Sequence, residues 1–559
     1  MPQPQPDVIP VPLDFPVNWK HPDEKQLLWT QDRLHCPDAM TPLDFSFIQI
    51  IDGGIDKAAQ VYDIPIVTYD RHINSYLYIA VVPQESSPDE MAAQAQRSEE
   101  KLKDAMGNLG ELWEKEWLPE IQQCMVYFEE YDLRGAHIPA LLEHLNETER
   151  RLHRVWEIHF LLIIPTMLVI SEFADMYQDL FSDASEFDAY ELLVSFENRT
   201  VESGQLLWKL SRKALASPTL RQVFAENPAS NVIAKLSESA DGKAFLAELN
   251  GYLELYGHRA DKITLNYPCW IENPTPVIKN LQDYIAQPER DLLAEMEKIA
   301  ARREQRIEEV REQLQGYPQP IVQQFEFFLE AAQVGNILKE EHGHWIDFKV
   351  FYQTRQILLE IGRRLAEAGI IDVRDDVFYL YLNELKEVVA RQAGDQELHS
   401  LIDERKAIEQ RFAALTPPPM LGTFPSDPPP DDSISRMFLK IEGNTPPPSE
   451  VPNELRGNAG SPGVVQGTAK VVRVLAEAQK LEPGDILVAE ATAPPWTPLF
   501  ASVGAVVTDS GGILSHCAVV AREYGIPAVV GTGTATTVIQ DGQTVEVNGN
   551  IGMVRIVST

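Results

Sequence analysis

The chain has little positive charge and few cysteines. Its 559 residues carry 84 Asp and Glu against 48 Lys and Arg, which gives a formal net charge of −36. Such a charge repels nucleic-acid backbones and anionic lipid surfaces, so we expect no nucleic-acid partner and no membrane partner. The four cysteines are far apart and form no paired motif. This spacing argues against a disulfide framework or a cysteine-based zinc site and fits a reducing cytoplasm.

Long apolar runs are also scarce. The most apolar stretch, residues 158–170, is too short to span a bilayer and contains His159 and Pro165, so it predicts a buried helix. The first residues, Met-Pro-Gln-Pro-Gln-Pro-Asp, lack the basic region and apolar core of a signal peptide. We therefore expect a cytoplasmic protein.

Signatures of nucleotide binding are missing as well. No Gly-x-x-x-x-Gly-Lys-[Ser/Thr] loop occurs, and Gly531-Thr-Gly533 is an incomplete match to a dinucleotide-binding loop. Residues 1–450 show no glycine-rich phosphate loop in a basic, strand-rich setting. The chain is therefore expected to lack a nucleotide site of its own.

Composition divides the chain into four segments and predicts a multidomain α and α/β fold. Residues 1–90 mix proline-rich loops with short β-like runs, and residues 91–415 follow the pattern of a large, mainly helical domain. Residues 416–453 contain three Pro-Pro-Pro tracts and predict a linker, extended at ~3.1 Å per residue where it adopts polyproline II. Residues 454–559 alternate β runs with helical stretches and predict a compact β/α domain.

The most informative stretch, residues 508–531, begins Thr-Asp-Ser-Gly-Gly-Ile-Leu-Ser-His-Cys-Ala. Two glycines permit a tight turn, Ser515 is a suitable N-cap, and the residues from 517 to 524 predict a short apolar helix closed by Gly525. His516 then lies in the first turn, where unpaired N–H groups and the helix dipole favour an anion. A neutral imidazole is a competent nucleophile near pH 7, so His516 is a candidate phosphoryl carrier.

Several neighbours of His516 are candidates for stabilising the phosphoryl group. Gly511, Gly512 and Ser515 are expected to present backbone and hydroxyl donors, and Arg522 is expected to add a charge-assisted contact. The alternative for an isolated Ser-His pair is a polar residue beside a helix cap. The surrounding pattern decides against that alternative.

This pattern resembles the phosphohistidine, or swivelling, mobile domain of the PEP-utilising enzymes, a family that includes pyruvate phosphate dikinase, PEP synthase and rifampin phosphotransferase. The resemblance extends over roughly residues 455–557, through Gly460-Ser-Pro-Gly463 and Leu481-Glu-Pro-Gly-Asp-Ile-Leu-Val488 to Asp541-Gly-Gln-Thr-Val-Glu-Val547. It implies a β/α swivelling domain in which His516 is the phosphorylated residue.

The helical region carries a second resemblance. Tyr256-Gly-His-Arg259, Leu265-Asn-Tyr-Pro-Cys-Trp270 and Asp375-Asp-Val-Phe-Tyr-Leu380 resemble the acceptor-binding domain of rifampin phosphotransferase and its relatives. With Glu340-Glu-His-Gly-His-Trp-Ile-Asp347 and the proline-rich linker, the arrangement is similar also to the phosphohistidine subunit of phenylphosphate synthase. That resemblance implies a separate ATP-grasp-type subunit that holds ATP and Mg²⁺ and charges the histidine.

A pocket for a hydroxyl acceptor needs a general base and cations around the transferring phosphoryl group. His258, Arg259 and Lys262 form one candidate set, and His342 and His344 form another. Each has a structural alternative: Arg259 pairs with a neighbouring acid, and the two histidines belong to the protein core. On a helix the two histidines lie about 200° apart, so no metal site is expected.

The leading hypothesis is a phosphotransferase component. His516 is charged by an ATP-dependent partner subunit and passes the phosphoryl group to a small organic hydroxyl, with a phenol as one candidate, bound by the helical domain. The alternative is a non-catalytic phosphocarrier or regulatory protein whose His516 is phosphorylated by a partner.

Overall fold

The computed structural model describes residues 8–84, 87–185, 187–260, 262–394, 396–425, 430–444 and 446–558. Over these residues the chain forms 19 α-helices and 12 β-strands, with the strands concentrated near the two ends of the sequence. The helices are α1 (Pro42–Tyr62), α2 (Pro88–Leu112), α3 (Leu118–Glu129), α4 (Ile138–Leu180), α5 (Asp188–Glu191), α6 (Arg199–Ala216), α7 (Pro218–Glu226), α8 (Ala229–Leu236), α9 (Ala240–Tyr256), α10 (Thr275–Ile285), α11 (Leu292–Leu314), α12 (Gln319–Gly343), α13 (Phe351–Glu367), α14 (Leu382–Arg391), α15 (Gln396–Ala413), α16 (Ser433–Glu442), α17 (Thr497–Phe500), α18 (His516–Glu523) and α19 (Ala535–Val538). The strands are β1 (Leu28–Gln31), β2 (Ile66–Ile73), β3 (Tyr76–Pro83), β4 (Met420–Gly422), β5 (Glu454–Arg456), β6 (Asn458–Ser461), β7 (Val464–Val471), β8 (Ile486–Ala489), β9 (Ala505–Thr508), β10 (Ala528–Val530), β11 (Thr544–Asn548) and β12 (Met553–Ser558). The predicted multidomain α and α/β fold class is confirmed.

The chain forms two compact units, each assembled from several segments. The first unit comprises Met1–Pro165, Lys262–Tyr267 and Trp345–Pro430, and the second comprises Thr166–Asp261, Pro268–His344 and Asp431–Thr559. The boundaries predicted at residues 90 and 415 do not coincide with these units. Helical periodicity identifies helices from local sequence, but it does not show which helices pack into one core.

The first unit contains a four-stranded antiparallel sheet with strand order β2-β3-β1-β4. Asn74 and Ser75 adopt positive φ angles of 51° and 68° in the turn between β2 and β3. Strand β4 comes from the predicted linker, so the β-like runs of residues 1–90 form a sheet only together with a distant segment. The predicted β-containing segment of residues 1–90 thus pairs with a strand that lies outside its predicted bounds.

Helix α4 contains the apolar stretch that predicted a buried helix. Ile158 and Leu162 are fully buried, which confirms that prediction. By length and composition α4 is the one described helix that could cross a membrane, yet 61% of its most apolar window is buried within the protein. This burial is typical of a core helix.

The β/α domain of the second unit, residues 454–558, is built on an eight-stranded sheet with strand order β5-β12-β11-β7-β8-β9-β10-β6. Its centre, β7 to β10, is parallel, and antiparallel pairs extend the sheet on both sides. Fully buried apolar residues fill this centre because parallel strands are covered on both faces, among them Ile486, Val488, Val507 and Val529. Helix α18 follows β9, so the sheet fixes the start of that helix.

The helical part of the second unit shares one apolar core with the β/α domain. Trp208, Tyr284 and Leu249 from the helices belong to the same buried cluster as Phe500 and Val520. The predicted linker also contains helix α16, with Met437 buried. It is therefore partly structured, although its residues 426–429 and 445 lie outside the described residues.

Candidate functional site

His516 is the first residue of α18, directly after a glycine-containing turn that leaves β9. Gly511 in this turn has φ of 108°, a conformation that residues with a Cβ rarely adopt. The helix predicted over residues 517–524 is observed as His516–Glu523, and Gly525 beyond it has φ of 64°. The local geometry thus places the imidazole at the positive end of a helix dipole.

Two hydroxyl groups face the ring nitrogens of His516. The Nδ1 atom lies 3.1 Å from the Thr492 hydroxyl, and the Nε2 atom lies 3.4 Å from the Thr497 hydroxyl. The ring is half-buried and meets Phe500 edge to face. Burial lowers the pKa of His516 to about 4, so the imidazole is neutral at pH 7. A neutral ring nitrogen is the form that attacks phosphorus.

The glycine turn before His516 is bonded to the C-terminal end of α16. The N–H of Gly512 donates to the Ile441 carbonyl and the N–H of Leu514 donates to the Lys440 carbonyl, both at 2.8 Å. A Cβ at Gly512 would lie 2.4 Å from that Lys440 oxygen, so close packing against α16 requires the glycine. The Gly512 N–H that was predicted to stabilise a phosphate is therefore engaged with protein backbone in this structure.

Ser515 and Gly511 lie against each other beside the imidazole. Ser515 occupies the N-cap position with extended backbone, but its hydroxyl makes no capping hydrogen bond. The Ser515 Oγ is buried without a hydrogen-bond partner in the part of the chain that the structure describes. A Cβ at Gly511 would approach this oxygen to 2.8 Å. The glycine thus leaves room for the Ser515 hydroxyl next to His516.

Arg522 is directed toward the scaffold of the domain. Its guanidinium donates to the carbonyl oxygens of Gly460 at 2.7 Å and Ile513 at 2.9 Å. It also lies over the ring of Tyr190, 4.5 Å from the centroid. These contacts give Arg522 a role in holding the turn and β6, and its contact to a phosphoryl group on His516 stays a prediction.

The helical part of the second unit supplies a charged cluster to His516. Glu340 on α12 accepts a hydrogen bond of 2.8 Å from the Thr200 hydroxyl on α6, and Lys339 Nζ lies 3.7 Å from the Glu340 carboxylate. The charge of Glu340 raises the pKa of His516, whereas the charges of Lys339 and Arg259 lower it. These three side chains therefore act on the imidazole directly through their electrostatic field.

Arg259 is the predicted acceptor residue that the structure brings to His516. It is 1% exposed, and one of its guanidinium nitrogens donates to the Thr200 hydroxyl at 3.4 Å. Its guanidinium lies about equally far from the rings of Tyr256 and Trp270, 5.9 and 6.0 Å from their centroids. Burial lowers the pKa of Arg259, although an arginine remains a cation at neutral pH.

The remaining members of the first candidate set are separated. His258 is half-buried directly before Arg259. Lys262 belongs to the first unit, where its ammonium group pairs with Asp38 at 2.7 Å. The predicted compact set of His258, Arg259 and Lys262 is therefore not assembled, because the chain leaves the second unit between Arg259 and Lys262.

The two histidines of the second candidate set are both buried. His342 Nδ1 lies 3.0 Å from the Leu338 carbonyl of its own helix, and the ring of His344 lies 5.5 Å from the ring of Tyr256. These contacts favour the structural alternative for both residues. The carboxylate whose charge acts on His516 comes from Glu340, two residues before His342.

Sequence reasoning missed Lys339, Glu340 and Thr200 as site residues. Glu340 opens the segment Glu340-Glu-His-Gly-His-Trp-Ile-Asp347 that carries one of the resemblances, so attention to its first residue would have found it. Thr200 has no local signal, because its partner Glu340 is 140 residues away in the chain.

The cluster has the charges that phosphoryl transfer to a hydroxyl requires. Burial alone would raise the pKa of Glu340, but Lys339, His516, Thr200 and Arg259 together outweigh it and lower the pKa. Glu340 is therefore a carboxylate at neutral pH and can accept a proton from a hydroxyl group. Lys339 and Arg259 provide positive charge for the phosphoryl oxygens.

Comparison with known proteins agrees with this geometry. Residues 481–552 match the PEP-utilising enzyme mobile domain, and residues 160–340 match the rifampicin phosphotransferase fourth domain. These matches contain His516 in the first case and Arg259, Lys339 and Glu340 in the second. The two sides of the charged cluster thus fall in two separately recognised domains.

Three full-length relatives extend the comparison. Chondramide synthase of Chondromyces crocatus is 42% identical over 98% of this chain and 14% of its own length. The uncharacterized phosphotransferase YvkC of Bacillus subtilis is 32% identical over 72% of this chain and 47% of its own length. Rifampicin phosphotransferase of Streptomyces sviceus is 31% identical over 65% of this chain and 40% of its own length. The chain thus spans less than half the length of each of these relatives.

The domain matches confirm the predicted kinship with the PEP-utilising enzymes and the rifampicin phosphotransferases, whereas the resemblance to phenylphosphate synthase stays a prediction. This kinship rests on the matches of residues 481–552 and residues 160–340 to one domain of each family.

Proposed function

We propose that the chain transfers a phosphoryl group from His516 to an organic hydroxyl compound. The observation that carries this proposal is the neutral imidazole of His516 lying in the field of one carboxylate and two cations, Glu340, Lys339 and Arg259. Such a set suits transfer to a neutral nucleophile that must lose a proton.

The transfer step balances with the residues of the cluster. The acceptor oxygen forms a bond to phosphorus while the bond between phosphorus and the imidazole nitrogen breaks. The electron pair of that bond returns to the ring, and the hydroxyl proton moves to Glu340. The ring nitrogen that loses phosphorus then takes up a proton, which Glu340 gives back, so His516 ends as the neutral imidazole that its lowered pKa of about 4 favours.

Charging of His516 is assigned to a nucleotide-binding domain or subunit outside this chain. ATP and Mg²⁺ are proposed to bind there, on an ATP-grasp-type partner. This chain spans less than half the length of these relatives. Their remaining length can contain a nucleotide-binding domain, which supports this assignment. Mg²⁺ ligands then lie largely on the nucleotide-binding side.

The acceptor is proposed as a hydroxyl-bearing organic compound. Relatives named rifampicin phosphotransferase make rifampicin the first probe, and simple phenols are the second. The relative named chondramide synthase makes chondramide the third probe.

The test is a two-stage labelling experiment with the full chain. First, the protein is incubated with labelled ATP, alone and together with a co-encoded ATP-grasp protein, and acid-labile label is measured in wild type and His516→Ala. Second, labelled protein is offered the three probe classes. The proposal expects label that requires His516 and moves to a hydroxyl compound. Label that is unaffected by His516→Ala contradicts it, and label that never leaves the protein favours the phosphocarrier alternative.

A further inference from the structure

The far end of α18 makes a second polar contact with the helical part of the second unit. The Glu523 carboxylate accepts a hydrogen bond of 2.6 Å from the backbone N–H of Ser195. Glu523 is 9% exposed, and burial raises its pKa to about 7. A carboxylate that is costly to bury is thus retained at a contact between two parts of the protein that lie more than 300 residues apart in sequence.

The segment that receives Glu523, residues 192–196, is braced from several sides and is here named the docking loop. Ser195 has φ of 60°, a left-handed conformation that favours glycine. Arg303 donates to the carbonyl oxygens of Val194 and Ser195, both at 2.8 Å, and Asn336 donates to the Leu193 carbonyl at 2.8 Å. These side chains hold a strained residue so that its N–H faces Glu523.

A third contact lies one residue farther along the chain. The ring of Tyr524 reaches α6, where an added Cβ at Gly204 would lie 3.0 Å from the tyrosine hydroxyl. Tyr524 also interacts electrostatically with Arg259, which acts on His516 as well. The absence of a side chain at Gly204 therefore lets Tyr524 reach the residues around the charged cluster.

The geometry of a helix links this contact to the chemistry. His516 and Glu523 are seven residues apart, so they lie within about 20° of each other on one face of α18 and about 10 Å apart along its axis. The Glu523 end of this face lies against α12, because Asn336 and Lys339 of α12 line one cavity together with Glu523. Fixing Glu523 against the docking loop therefore fixes where His516 lies along α12.

We propose that Glu523, with the docking loop as its receptor, is a positioning residue that holds α18 in register so that His516 faces Glu340. The expected effect on the transfer rate rests on the proposed function, because transfer to the acceptor requires the correct register of α18. Charging takes place at another site and does not need this contact. Loss of the contact thus lowers the rate of transfer relative to the rate of charging.

The experiment compares Glu523→Ala and Glu523→Gln in the full chain. The glutamine keeps an oxygen that accepts the Ser195 N–H, whereas alanine removes it. Hydrogen exchange at the Ser195 amide is expected to accelerate about tenfold in Glu523→Ala and to stay near wild type in Glu523→Gln. With phosphoramidate as a chemical phosphoryl donor, His516 is expected to be labelled several-fold faster in Glu523→Ala because the half-buried ring becomes more accessible.

Two further variants separate positioning from loss of folding. Glu546→Ala, on β11 of the same domain, removes a carboxylate that lies 4.0 Å from Arg555 and serves as the matched control. Gly204→Val displaces Tyr524 from the helical side and is expected to reproduce the Glu523→Ala effects without altering Glu523. Their thermal unfolding midpoints are measured alongside.

The outcomes distinguish the two proposals. An unchanged Ser195 amide in Glu523→Ala, failure of Glu523→Gln to rescue, or faster exchange spread over the whole β/α domain overturns the positioning role. If phosphoramidate labels no variant at His516, the proposed function fails, while the local exchange at Ser195 still decides the positioning role.

Discussion

The two sides of the charged cluster are built in opposite ways. On the phosphohistidine side, Thr492, Thr497 and Ser515 lie within 25 residues of His516 and belong to one β/α domain. On the acceptor side, Thr200 and Glu340 come from α6 and α12, which are joined only by tertiary packing. The surroundings of His516 are thus formed by its own domain, whereas the proposed acceptor face exists only when separate helices meet.

Under the proposed function, this difference separates two steps, the charging of His516 and the transfer to the acceptor. Charging needs a neutral imidazole at the start of a helix, which the β/α domain provides by its own fold. Transfer needs the carboxylate and cations of the helical part as well. Variants on the two sides are therefore expected to affect different steps, and the predictions below test that separation.

The largest effect is expected from Glu340→Gln. The amide cannot accept the proton of the acceptor hydroxyl, so transfer from phosphorylated His516 is expected to slow by at least ~100-fold, the lower range for general acid–base catalysis. Charging of His516 is expected to stay within about twofold of wild type. The transfer rate is measured as the single-turnover loss of label from the protein. The reaction contains the hydroxyl compound that accepts label in the two-stage labelling experiment.

Glu341→Gln is the matched control for this variant. Glu341 follows directly in sequence but accepts a hydrogen bond of 3.0 Å from the backbone N–H of Arg199 instead. Its transfer rate is expected to remain close to wild type. Equal losses in both variants would show that the helix, and not the Glu340 carboxylate, is responsible.

The same contrast explains what the sequence could reveal. The helix after His516 and the glycine turn depend on contacts between near neighbours, and the helix was predicted to within one residue at α18. Glu340 and Thr200 gain their role from a contact over 140 residues, which no local pattern encodes.

Two predictions from local sequence lack partners that only the fold supplies. The residues from 416 to 453 have the composition of a spacer, yet β4 joins a sheet and α16 bonds to the glycine turn, because backbone groups can pair regardless of side-chain composition. Arg522 was assigned to a phosphate because of its charge, and in the fold its guanidinium donates to two carbonyl oxygens of its own domain, which no local pattern indicated. Local chemistry identifies what a side chain can bind, and the fold selects among those partners.

A smaller effect is expected from Arg259→Met. The substitution removes positive charge that acts on both His516 and Glu340, so transfer is expected to fall about tenfold, or ~1.4 kcal/mol. The pKa of Glu340 is expected to rise because Arg259 helps to lower it. The pH dependence of single-turnover transfer measures both changes, and its acid limb is expected to move to higher pH.

Arg259→Lys serves as the control for charge. It retains a cation but not the planar group, so a partial recovery of transfer together with a normal acid limb is expected. A loss equal to that of Arg259→Met would assign the effect to packing between Tyr256 and Trp270 in place of charge.

The ionisation of His516 provides a test on the phosphohistidine side. Burial places its pKa at about 4, below the ordinary value of 6.5, so the folded state takes up the proton less readily than the unfolded chain. This group therefore stabilises the fold above pH 6.5, and that contribution is lost as the pH falls from 6.5 toward 4. In NMR titration, the His516 ring signals are expected to stay constant from pH 8 to about pH 5.

Glu340→Gln tests how much the charge of Glu340 contributes to the pKa of His516. Because the Glu340 charge raises the pKa of His516, its removal is expected to move the midpoint to a lower pH. The signals are identified by their disappearance in His516→Ala. A midpoint near 6.5 in the wild-type protein would mean that the ring is exposed and that the two sides of the cluster are not in contact in solution.

The smallest effect is expected at α16, which contacts both α4 in the helical part and the glycine turn before His516. Lys440 pairs with Asp175 on α4 at 2.6 Å and donates to the carbonyl and hydroxyl oxygens of Ser171, both at 3.0 Å. The pair is partly exposed, so Lys440→Met is expected to weaken the attachment by about 0.5–1 kcal/mol. Since backbone oxygens of α16 receive the Gly512 and Leu514 amides, hydrogen exchange at these two amides is expected to accelerate two- to fivefold.

Lys480→Met is the appropriate comparison for Lys440→Met, because Lys480 pairs with Asp541 at 3.1 Å inside the β/α domain. It is expected to leave the Gly512 and Leu514 amides unchanged. If Lys440→Met also leaves them unchanged, the glycine turn holds its shape without α16, and preparation of His516 is local to its own domain. If exchange accelerates in Lys440→Met alone, the turn before His516 depends on the helical part, and the separation between the two sides is incomplete at this point.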